Sequence, residues 1–84
     1  MVTVRGKRWN LVFTRLKKCF GSCDSKDVPK KKIRISNKLR GVKKLDTIIH
    51  ELLHAGMWDI SEECVREMAT DIAKTLDKLG YKEE

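Results

Sequence analysis

Apolar residues recur at every second position in the first half of the chain and at every third or fourth position from Lys43 onward. Trp9, Leu11 and Phe13 alternate, which predicts a strand with one buried face. Val12 and Leu16 break the alternation, so a short helix within 9–20 fits the same residues. The stretch GSCDSKDVP, 21–29, is rich in turn formers and reads as a loop. Alternation returns at 31–36, with Ile33 and Ile35 inward and Lys32 and Arg34 outward. Outward cations suit an edge strand, because they discourage pairing with another chain. Residues 37–41 make a second turn.

Leu45, Ile48, Ile49, Leu52 and Leu53 then fall at helical spacing, and Gly56 is a plausible stop, giving a helix over 43–57. Ser61 is a ready N-cap, with Glu62 and Glu63 favourably placed in the first turn. Val65, Met68, Ala69, Ile72, Leu76 and Leu79 form one face of a second helix, 61–80, which Gly80 ends. The short connection makes the two helices antiparallel neighbours. The expected fold class is α+β: a short antiparallel sheet within a strand and loop region, 1–42, followed by two antiparallel helices, all in one domain, 1–84.

A chain of 84 residues buries only a modest core, so a bound metal or partner would matter to its stability. No apolar run approaches the roughly 18 residues a membrane span needs, so no membrane partner is expected. MVTVRGKRW has no apolar segment of the kind a secretory leader carries, which makes the cytoplasm the expected compartment. Cys19, Cys23 and Cys64 lack the paired spacing of a zinc ribbon and read as buried or free thiols. The net charge of +7 is unevenly spread: residues 1–44 carry fifteen Lys/Arg against two Asp, and 45–84 carry four Lys/Arg against ten Asp/Glu. A basic N-terminal half of this kind suits nucleic acid as a partner.

The two histidines of the chain, His50 and His54, lie four apart within HELLH. Residues four apart on a helix project from the same face, so both imidazoles can converge on one zinc ion. Glu51 lies one step round the helix, where its carboxylate can meet a water beside the metal. Catalytic zinc usually has three protein ligands, and Asp59, Glu62, Glu63 and Glu67 are the carboxylates within reach. Capping already accounts for Asp59 and Glu62. Pairing the helices about a connection near Trp58 sets His54 opposite Glu63 and His50 opposite Glu67, with Asp71 continuing the acidic stripe.

The run REMATDIAKTL, 66–76, resembles the second metal helix of thermolysin-type gluzincins, and the whole chain resembles their minimal single-domain and phage-encoded relatives. That resemblance implies a small zincin-like domain with Zn2+ held by His50, His54 and Glu67, and Asp71 hydrogen-bonded to His50. Glu63 stays open as an alternative ligand, since the interval from HExxH is shorter than in the large enzymes and Arg66 stands where they carry asparagine. The implied activity is that of a zinc metallopeptidase, an endopeptidase acting on peptide or protein substrates with Glu51 as general base and acid. The strand Lys32, Ile33, Arg34 and Ile35 would offer its free edge to an extended substrate. Tyr81 is a weak candidate for steadying an oxyanion. Two other classes remain open: a metal-stabilised binding or scaffold domain with little turnover, and a nucleic-acid-associated protein working through its basic half.

Overall fold

The computed structural model describes residues 1–81, and the last three positions of the 1–84 domain lie outside the described residues. Four strands and two helices follow in order: β1 (Val2–Val4), β2 (Lys7–Thr14), β3 (Gly21–Cys23), β4 (Lys32–Ser36), α1 (Gly41–Gly56) and α2 (Glu62–Lys78). The α+β class and the two helices match the sequence reading. None of the described helices is long and apolar enough to cross a membrane.

The sheet is mixed, which corrects the antiparallel sheet expected. Its strand order is β1-β2-β4-β3. β1 and β2 form an antiparallel hairpin in which Val2 faces Trp9. The hairpin turns through Arg5 at φ 50° and Gly6 at φ 79°, the left-handed pair that a tight two-residue turn requires. β4 inserts between β2, to which it is parallel, and β3, to which it is antiparallel. Periodicity could not supply this arrangement. The chain leaves β2, forms the far edge as β3, and returns through the middle, so the strand at 32–36 is interior and not the free edge expected of it.

Alternation along each strand sorts the two faces of the sheet. Trp9, Ile33 and Ile35 are sealed inside, with Val2, Val4, Leu11 and Cys23 around them, and Ile48, Leu52 and Ala55 of α1 close the cluster. Burying each of the two isoleucines contributes about 1.5–3 kcal/mol. α2 contacts α1 and none of the described strands. The molecule is therefore three layers deep, with α1 in the middle.

The α1–α2 seam uses small residues. Val65, Ala69 and Ala73 are buried on α2, whereas Met68 and Leu79, both expected on the buried face, are 47% and 68% exposed. Ser61 caps α2 as predicted by accepting a hydrogen bond from the Cys64 N–H at 3.2 Å. The Thr70 hydroxyl donates to the Asp46 carboxylate at 2.9 Å and ties the two helices at one level.

Ala69 is fully buried at this seam, so Ala69→Leu should force the helices apart and cost about 1–3 kcal/mol. Urea unfolding measures it. An unchanged midpoint would mean that the helices do not pack closely.

Candidate metal centre

Three side chains from the two helices meet at one point. His54 Nε2 lies 3.1 Å from His50 Nε2. Glu62, the first residue of α2, reaches His50 Nε2 with one carboxylate oxygen at 3.0 Å and His54 Nε2 with the other at 2.7 Å. The imidazole rings stand 4.8 Å apart in an edge arrangement. Both histidines are part-buried and Glu62 is about half exposed.

The fit to a metal can be tested on distances. Tetrahedral donors about 2.0–2.1 Å from one zinc ion stand about 3.3 Å from each other. Two imidazole nitrogens and a carboxylate oxygen, all within 4.8 Å of one another, approach that figure. Only a shared proton or a shared cation brings such electron-rich atoms so close. The donor set of two nitrogens and one oxygen suits a divalent transition-metal ion.

Glu51 lies one helical step round α1 from His50, near enough for the charges of His50, His54 and Glu62 to act on its carboxyl. It is 8% exposed, and burial raises its carboxyl pKa, with a smaller push from Glu62 and an opposing pull from His50 and His54. What covers it is β3. A side chain at Gly21 would come within 3.0 Å of both the Glu51 Cγ and the Thr47 Cγ2, and within 3.1 Å of the Arg34 carbonyl. Glycine lets the strand lie directly on the helix. Cys23, two residues along β3, has its thiol pushed up to about 11, first by burial and then by Glu51 and Asp24, and it stays a neutral thiol at physiological pH.

The connection between the helices is braced from outside. The Arg5 guanidinium donates to the Gly56 carbonyl at 2.9 Å and lies 4.8 Å from the ring centre of Trp58, while Lys26 lies 4.9 Å from the same ring. These contacts hold the chain that delivers Glu62 to the histidines.

His50, Glu51 and His54 fall together on α1, as the sequence predicts. The carboxylate that joins them is Glu62, whereas Glu67, the expected third ligand, Glu63, its alternative, and Asp71 are exposed on α2 and outside the group. The reason is helical phase. The face of α2 that packs on α1 is Val65, Ala69 and Ala73, and each residue turns a helix by about 100°. Glu62, three residues before Val65 and seven before Ala69, shares that face, whereas Glu63 and Glu67 fall on the far side of the helix. Glu62 was visible as a candidate, but its value as a first-turn anion masked it. Asp71 contributes its backbone carbonyl to the Thr75 hydroxyl at 2.9 Å. Tyr81 is 66% exposed beyond the far end of α2 and stands too far from Glu62 to reach this point. Lys32 and Arg34 lie on the outer sheet face, where Arg34 is engaged by Asp24 at 2.8 Å, and Ile33 and Ile35 are core.

No protein-family model matches the chain, and neither does any curated protein or solved structure.

Because burial holds the Glu51 pKa above its ordinary value, its ionised form opposes folding. That cost is absent below the carboxylate range and grows as pH rises through the raised value. Glu51→Gln, with metal chelated, should therefore unfold at a higher temperature than the parent chain at neutral pH. The gap should close on acidification below about pH 4. Thermal unfolding by circular dichroism at both pH values measures it, and a destabilised variant at neutral pH would contradict the assignment.

Proposed function

We propose that this chain is a zinc-dependent metallopeptidase that hydrolyses peptide bonds in extended segments of protein substrates. The observation that carries the reading is the convergence of His50, His54 and Glu62 one helical step from the buried carboxyl of Glu51. Structural zinc sites are closed by four protein ligands, whereas catalytic sites keep three and leave one position open. Three protein donors meet here among the described residues. The HELLH motif of 50–54 supports the same reading, with Glu62 and not Glu67, the position the gluzincin resemblance implied, as the carboxylate from the second helix.

His50, His54 and Glu62 would hold the ion. Zinc bound there supplies a Lewis acid that polarises a peptide carbonyl and acidifies a water molecule. Glu51 takes the proton of the attacking water and hands it to the departing amine, a task suited to a carboxyl whose pKa is raised toward neutrality. β3 places substrate. It is an edge strand, bonded to β4 alone, and it lies against Glu51. An extended peptide added to that edge by backbone hydrogen bonds runs past the Glu51 carboxylate. β3 thus takes the role that the sequence reading gave to the interior strand at 32–36.

Three variants separate the assignments. Glu62→Gln should weaken zinc binding by more than the about 10- to 100-fold that a ligand's hydrogen-bonding partner is worth, and Glu67→Gln should leave it unchanged. Competition with a chromophoric chelator measures both, and the reverse order would return the third ligand to Glu67. Glu51→Gln should keep zinc and slow cleavage of an unfolded protein by about 10²- to 10⁴-fold. A zinc-loaded parent chain that cleaves no peptide would remove the peptidase reading.

A further inference from the structure

A concavity separate from the histidines lies where the start of β2 meets the approach to β4. Lys7, Arg8 and Asn10 at the start of β2, Lys30, Lys31 and Lys32 at the approach to β4, and Met1 line a concavity of about 570 Å³. Trp9 and Ile33 point into the core, so by strand alternation Arg8, Asn10 and Lys32 point to the outer face, which neither helix covers. Five cations thus surround one hollow, and no carboxylate lines it.

None of the five is in an ion pair among the described residues. The neighbouring carboxylate, Asp24, is already engaged by the Arg34 guanidinium at 2.8 Å and the Lys32 backbone N–H at 2.9 Å. Lys31 lies over the Trp9 ring at 5.6 Å from its centre, a contact that orients the ammonium without cancelling its charge. The backbone holds the cluster in place. Asn10 N–H donates to the Lys31 carbonyl at 3.0 Å, and Lys30 adopts φ 54°, a left-handed conformation that a side chain with a Cβ rarely takes. Like charges gathered around one hollow repel one another unless an anion lies among them.

We propose that this hollow binds the phosphodiester backbone of double-stranded nucleic acid, without regard to sequence. Duplexes carry one phosphate charge per about 1.7 Å of axis, the density that five clustered cations can match. The concavity offers no aromatic face on which a single-stranded base could stack, because Trp9 is 1% exposed. It also offers no apolar side chain beyond Met1 for insertion into a lipid surface. The proposal is independent of the metal centre and stands or falls apart from the peptidase reading.

Fluorescence anisotropy with a labelled random-sequence duplex of about 20 base pairs tests it. Neutralising five phosphates predicts that log K falls against log salt with a slope of about −4 to −5. The double variant R8A/K32A should bind about tenfold or more weakly near 0.1 M salt, with the slope reduced by about 2. K17A/K18A removes the same charge outside the hollow and should weaken binding far less. Unfolding midpoints close to that of the parent chain confirm that both double variants are folded. Equal losses in the two double variants would reduce the effect to net charge and overturn the proposal. So would tighter binding to a single strand of the same length. Equal binding to vesicles of phosphatidylcholine and phosphatidylserine, lost in R8A/K32A, would reassign the hollow to a membrane surface.

Discussion

A carboxylate taken out of water without a hydrogen-bond partner is among the costliest features a small fold can carry. Glu51 approaches that condition: it is 8% exposed on α1 and desolvation is the first cause of its raised pKa, although its carboxylate oxygens are not sealed from solvent. The cost is met by how α1 is enclosed. Sheet residues cover one side of the helix and α2 the other, while Gly21 lets β3 descend onto the carboxylate itself. A fold of this size maintains that arrangement because Ile33, Ile35, Trp9 and Ala55 form a continuous apolar base beside it. Burial that weakens stability also tunes a group for proton transfer.

The donors beside Glu51 depend on a different constraint, the relative rotation of two helices. Val65, Ala69 and Ala73 allow α2 to lie close to α1, and the Asp46–Thr70 bond fixes its level. At the other end of the seam, Arg5 and Lys26 flank Trp58 and hold the short connection. Glu62 is thereby delivered at the very start of α2, where it serves three purposes at once. It complements the helix dipole, offers each imidazole one oxygen, and contributes negative charge to the surroundings of Glu51. The sheet edge that runs past this point is β3, so the carboxyl proposed as general base and the strand proposed to align its substrate are in direct contact.

Charge is divided along the same layers. The acidic half of the sequence forms the two helices and the donor cluster, and the basic half forms the sheet, whose outer face is left open. A cation-rich sheet back and a carboxylate-bearing helical front give one small molecule two electrostatically opposite surfaces. Long-range attraction of the proposed polyanion to the back would therefore not compete with the proposed cation at the front.

Much of the local structure was legible in the sequence. The 3.6-residue period of 45–53, the stop at Gly56 and the cap at Ser61 are local signals, and both helices form where they point. The HELLH spacing placed His50 and His54 on one face for the same reason. The hairpin of β1 and β2 left a weak trace, Val2 and Val4 alternating before Arg5-Gly6, and β3 left none, because three residues of glycine, serine and cysteine carry no periodicity. What the sequence by itself determined was therefore which residues share a face of one element. Which elements became neighbours, and at what rotation, was decided only by tertiary packing: β4 entered the middle of the sheet, and the seating of Val65, Ala69 and Ala73 on α1 brought Glu62 and not Glu67 to the histidines. Pairing between distant segments is fixed by the summed fit of many side chains, and no short window of the chain contains that sum.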